Sequence, residues 1–122
     1  VNSEHILIYT GGAQPAGSVI ETVLVLVGNP ETGPTGRPDA VFFGFREAAA
    51  SIGPSRSKGV EVSIILERAG ASHLGAKDDA SALFDLLAAN TDWGLELLYN
   101  DGGEEPDRVR PLLTGQGGAA KS

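Results

Sequence analysis

The chain reads as an α+β domain. Its expected form is a mostly antiparallel sheet of five or six strands, single or packed as two sheets, with one flanking helix at about residues 79–90. Three stretches predict it. Val60, Val62, Ile64 and Leu66 alternate with Glu61, Ser63, Ile65 and Glu67, the period of a half-buried strand. Ala80, Leu83, Phe84 and Leu87 then share one stripe of a helix opened by Asp78-Asp79. Trp93, Leu95, Leu97 and Tyr99 alternate again before Asp101-Gly102-Gly103. A helix this short is marginal in water, so its stripe must cover a sheet. If the two strands flanking it are adjacent and parallel, the crossover is right-handed.

The remaining elements follow in order. His5 to Tyr9 is a short strand without clean alternation, which suggests burial on both faces or docking between neighbours. Val19 to Val27 is rich in β-branched residues and reads as a second strand, apolar on both faces from Val23 onward. Exposed at an edge it would invite aggregation, so it is expected to be central or covered by another chain. Gly28 to Asp39 holds three prolines and three glycines and is neither a central strand nor a helix. It is long for a hairpin connection, and is either a flexible tip or an interaction element.

Val41 to Phe45 is an aromatic strand in which Gly44 suggests a bulge or a close backbone approach. Arg46 to Ile52 continues it or makes one helical turn, the alanines favouring the turn. Asp78 or Asp79 suits a helix N-cap, Asn90 suits the C-terminal end, and Trp93 suits a pin between helix and sheet. Arg108 to Leu113 is a short edge piece or docking arm. A single domain is therefore expected over 1–113, with 114–122 as a flexible tail.

Composition narrows the function classes. At 122 residues there is room for one core, and the absence of cysteine excludes disulfides, thiolate metal sites and a cysteine nucleophile. No run approaches the roughly 20 apolar residues of a membrane span, and no charged-then-apolar leader precedes Ile6, so no membrane role is expected. The net charge is −7, from 16 acids against 9 bases, and the nearest thing to a basic stripe is Arg56-Ser57-Lys58. Sequence-specific nucleic-acid binding is not expected. Such a surface favours solubility and would also suit the wall of a passage through which nucleic acid slides.

Three constellations could carry chemistry. Asp101, Glu104, Glu105 and Asp107 are possible metal ligands, but D-G-G-E-E-P-D lacks the alternate-oxygen spacing of a calcium loop and reads as a solvated turn. His73, beside Ser72 and near Asp78 and Asp79, could sketch a serine, histidine and carboxylate set. Members of such a set are normally held by different rigid elements, so a polar connection is the simpler reading. Gly11 to Gly17 follows a strand as phosphate-cradling loops do, yet it fits neither glycine-rich fingerprint and the next segment reads as strand. No cofactor is expected.

The run Gly59 to Gly103, strand, turn, helix D-A-S-A-L-F-D-L-L-A-A-N and strand W-G-L-E-L-L-Y-N-D-G-G, resembles the strand-helix-strand segment of phage tail-tube proteins and related tube-forming proteins of contractile injection machines. Phe42-Phe43-Gly44-Phe45 resembles an aromatic-glycine strand near that family's sheet edge. The resemblance implies two packed antiparallel sheets with one helix, and a long loop reaching a neighbouring subunit, here Gly28 to Asp39. It rests on order and spacing of elements, covers about a third of the chain closely, and the chain is short for such a subunit.

The expected function is a non-enzymatic structural or assembly subunit forming homo-oligomers through heterologous contacts, in a virion if phage-derived and otherwise in the cytoplasm. Its contacts are expected at Val23, Val25, Gly28, Asn29, Pro30, Glu31, Thr32, Gly33, Pro34, Thr35, Gly36, Arg37, Pro38, Asp39, Phe42, Phe43 and Phe45. The partners would be other copies and other structural proteins. The alternatives are a small enzyme or ligand-binding domain using His73 with Asp78 or Asp79, or the Gly11 to Gly17 loop, and an adaptor that adds a partner's strand to its sheet edge.

Overall fold

A computed structural model describes residues 3–34, 39–55, 59–67, 73–99 and 106–113, with backbone alone at 3 and 73–76. Seven strands and two helices follow in the order β1 (Ser3–Tyr9), α1 (Ala16–Leu26), β2 (Thr32–Pro34), β3 (Val41–Phe45), β4 (Ala48–Pro54), β5 (Val62–Glu67), α2 (His73–Asn90), β6 (Gly94–Leu98) and β7 (Arg108–Arg110). The strands form one sheet in the order β2-β3-β4-β5-β1-β6-β7, every pairing antiparallel. The α+β class is as expected; among the described residues the sheet is single and larger, and there are two helices. The two-sheet, one-helix arrangement implied by the tail-tube resemblance is not the one seen. The strands flanking α2, β5 and β6, are parallel to each other, but β1 lies between them.

Register sorts the side chains into two faces. Val41, Ile52, Ile64, Ile6 and Leu97 form one row across the sheet, with Val62, Ile8 and Leu95 in the next. These residues face the helices, and all but half-buried Val41 are buried. From α2 the stripe Ala80, Leu83, Phe84 and Leu87 packs onto them, and Trp93 closes the end of the core as the sequence suggests.

The stretch read as a second strand is instead α1. Ala16, Val19, Ile20, Val23, Leu24 and Val27 recur at helical spacing, and Val19 and Val23 are fully buried. A run with apolar residues at nearly every position satisfies both periods, so the flanks decide. Pro15 sits at the N-cap with φ −72°, and Gly28 at φ +95° ends the helix. The Asn29 N–H donates to the Leu24 carbonyl (2.8 Å) and the Gly28 N–H to that of Val25 (3.0 Å), a Schellman closure. The need for another chain to cover this segment therefore disappears.

Helix α2 begins six residues before Asp79, so neither Asp78 nor Asp79 caps it. Asp79 is buried in its interior, and Asp78 is exposed. Its partner is Arg46, in the two-residue turn of the β3–β4 hairpin, whose Nε lies 3.3 Å from Asp79 Oδ1. Arg46 adopts φ +56°, a left-handed backbone costly for a residue with a Cβ. Residues 48–54 are strand rather than a helical turn, because their alternate positions Ala48, Ala50 and Ile52 belong to the core. Gly44 pairs with Ala49 in unbroken register and a Cβ there would touch nothing, so it marks neither a bulge nor a close approach.

β7 is the edge piece expected at Arg108 to Leu113, and it is tied down through its inward side chains. Arg108 meets Asp85 (2.7 Å) and Ser81 Oγ (3.0 Å) and lies over the Phe84 ring. Arg110 donates to the carbonyls of Ala88 (2.9 Å), Thr91 (2.6 Å) and Trp93 (2.8 Å), filling the carbonyl end of α2. Asn90 contributes to the same end by donating to the Leu86 carbonyl. The acidic residues Asp101, Glu104 and Glu105 lie outside the described residues. Asp107 accepts from the Tyr99 N–H at 2.8 Å.

Candidate functional site

Two features stand out: the sheet face away from the helices, and a cleft at one end of the molecule. On the outer face, register aligns Phe42, Ser51, Ile65, His5 and Leu98 in a row crossing β3, β4, β5, β1 and β6. The next row runs through Gly53, Ser63, Leu7, Glu96 and Val109. No described helix lies over either row. Phe42 is 46% exposed and Val109 57%, with Leu7, Ile65 and Leu98 half-buried between their neighbours. With strands about 4.8 Å apart, the first row spans about 19 Å.

Polar side chains are interspersed on this face, Ser51 and His5 in the first row and Ser63 and Glu96 in the second. The Tyr9 hydroxyl is pushed up to about 12 by burial, with the Glu96 carboxylate accepting its hydrogen bond and adding negative charge nearby. Burial holds the His5 imidazole below its usual value, opposed by the charge of Glu67. Glu67, paired across from Ser3 and Ala49, is exposed.

The cleft encloses about 570 Å³ and is lined by Thr10, Gly11, Ala13 and Gln14 of the β1–α1 turn, Thr22 of α1, Asn90 to Trp93 after α2, and Leu112 and Leu113. The strap carrying those leucines is fixed by the Leu113 N–H donating to the Asp92 carbonyl (2.8 Å), and Leu112 packs against Gly11 so closely that a Cβ there would meet it at 2.9 Å. Gly11 has φ +65°, a second reason for glycine at that position. The glycine loop does lead into a helix, which corrects the expectation of a strand. Two amides at its start are taken by the chain itself: Thr10 N–H and Gly12 N–H donate to Glu61 Oε1 (2.8 Å) and Oε2 (3.1 Å).

The expected site residues divide sharply. Val23 and Phe43 are buried in the chain's own core and contact no outside surface. Val25, 60% exposed, lies on the outer side of α1, and Phe42 is on the outer sheet face, while Phe45 packs partly against the core. Of the long loop, Gly28, Asn29, Glu31 and Asp39 are exposed and Thr32 to Pro34 make β2; Thr35, Gly36, Arg37 and Pro38 lie outside the described residues. His73 is the first residue of α2, with its side chain outside the described set. Asp78 follows five positions later on the same helix, about 140° around the axis, so the helix does not bring the two together.

Missed altogether were Leu7, Ile65, Leu98 and Val109. A signal existed: Ile65 sits in the otherwise polar register of β5, and the run Ile6-Leu7-Ile8-Tyr9 puts apolar residues on both sides of β1. The chain matches no family model, no curated protein and no solved structure.

Proposed function

We propose that the chain is a non-enzymatic interaction and assembly domain whose outer sheet face is covered by another polypeptide in its working state. The supporting observation is the apolar residues Phe42, Ile65 and Leu98 in one register row and Leu7 and Val109 in the next, interleaved with Ser51, His5, Ser63 and Glu96, on the side that neither α1 nor α2 covers. Large apolar groups gathered on one uncovered face are a feature of interaction surfaces. Both edges are short: β2 has three residues and ends at Pro34, and β7 has three with both arginines turned under the sheet. Strand addition at an edge is therefore less favoured than docking across the face.

The test is a photo-reactive residue placed at Phe42, Leu98 or Glu21 in cells that make the protein. Adducts at the first two positions and none at Glu21, on the exposed side of α1, are expected. No adduct at either face position overturns the reading. The tail-tube version adds a stricter requirement: adduct masses at multiples of the chain itself, and rings of the purified protein by electron microscopy.

The cleft supports a second reading, a small-molecule binding domain, since its volume is in the range of ligand sites. Trp93 lines it, so a binder should change tryptophan fluorescence, and Thr22→Phe, which fills the cleft without adding a second indole, should abolish that change. Unchanged binding in that variant would remove the cleft from consideration.

A further inference from the structure

Building on the proposed role of the outer face, we infer that its occupant is an apolar and basic segment of a different protein, lying across the strands. Neither a second copy of this face nor an added edge strand fits as well. The inference comes from the distribution of charge between the two sides of the sheet. Among the described strand residues the bases are Arg108 and Arg110, and both point to the helix side, where Asp85 and the carbonyl end of α2 hold them. Of the described strand acids, Glu4 is buried on the helix side, and Glu67 and Glu96 are on the other, flanking Ile65, Leu7 and Leu98. The outer face therefore offers apolar area and two acids, with His5 but no described strand lysine or arginine on that side.

A two-fold pairing of this face with itself would bring acids towards an acidic surface, within a chain whose net charge is already −7. The described bases elsewhere are engaged as well: Arg46 with Asp79, and Lys77 over the Tyr99 ring. A nucleic acid or an anionic lipid surface would meet the same negative face and gain nothing from it. A segment carrying leucine-like side chains with lysine or arginine at their margins satisfies both requirements, apolar cover and opposite charge at the rim.

The probe is a synthetic amphipathic Leu/Lys helix, compared with its Leu/Glu counterpart of identical pattern, titrated into the full chain and followed by amide chemical shifts. The Leu/Lys peptide should shift Leu7, Ser63, Ile65, Glu96 and Leu98, and the Leu/Glu peptide should not bind. Because any acidic protein attracts a basic peptide, the deciding variants carry the same charge change at two places. Glu96→Lys should weaken binding about tenfold and Glu21→Lys, on the exposed side of α1, by less than about twofold.

Equal weakening by both variants, or shifts centred on the helices, overturns the inference, as does equal binding of both peptides. Cross-linked adducts at Phe42 or Leu98 combined with failure of the Leu/Lys peptide would leave the assembly reading standing and remove the partner chemistry. Absent adducts would remove the assembly reading itself.

Discussion

The two sides of one sheet differ more than its strands differ from one another. Ile64 and Ile65 are neighbours in β5 with the same side chain; Ile64 is sealed under the helices, and Ile65 looks out between His5 and Ser51. On the inner side, apolar area, ion pairs and helix-end hydrogen bonds are all spent within the chain. On the outer side, apolar groups stand among His5, Ser51, Ser63 and two acids, and no described helix covers them. The inner face should therefore control folding, and the outer face association.

The comparison breaks first if both isoleucines matter equally. Ile64→Ala should lower unfolding free energy by about 3–4 kcal/mol, and Ile65→Ala by under about 1 kcal/mol, measured by urea denaturation. Next comes the hairpin-to-helix tie. Arg46→Gly relieves the left-handed backbone, yet leaves Asp79 buried without its cation, and Asp79 Oδ2 already has no hydrogen-bond partner. A net loss of about 2 kcal/mol is expected, and adding Asp79→Leu to that variant should recover most of it. A stabilised Arg46→Gly protein would show that the turn conformation, not the buried pair, dominates.

Arg110→Ala should cost about 1–2 kcal/mol by freeing the carbonyls of Ala88, Thr91 and Trp93, with hydrogen exchange quickening at the end of α2 and in β7 before anywhere else. Smallest is the response to pH on the outer face. A Tyr9 hydroxyl raised from 10.0 to about 12 favours the folded state while protonated, so this contribution is whole below pH 10 and fades as pH rises towards 12. Tyr9→Phe should flatten the stability profile in that window. His5 acts at the other end: its lowered value means stability declines as pH falls below 6.5, and His5→Phe should remove that decline.

The inner face was also the legible one. Alternation in Val60 to Glu67 and the stripe Ala80 to Leu87 named most of the central core, because a half-buried strand and a helix covering it each print their period on the sequence. Segment α1 was not legible by period, since valines and leucines at nearly every position fit a helix and a strand alike, and their β-branching pointed the wrong way. Pro15 and Gly28 were the better evidence, being boundary residues whose backbone preferences the helix ends use. Misreading α1 put an exposed apolar surface at Val23, which lies in the core, whereas the apolar residues on the side without a described helix include Ile65 and Leu98. The pairing of Arg46 with Asp79 and the seating of Glu61 in the glycine turn could not be read from order alone, because each joins segments brought together by the sheet.

The placement of β1 bears on how the molecule comes to be. It is synthesised first among the described strands, yet both of its ladders are made with segments roughly sixty and ninety residues downstream. The β3–β4–β5 meander can zip up as it emerges, whereas Ser3 to Tyr9 must wait and then slot between two strands that arrive at different times. Closure of the sheet at this seam therefore depends on long-distance pairing, and slowing elongation after residue 67 is expected to delay it.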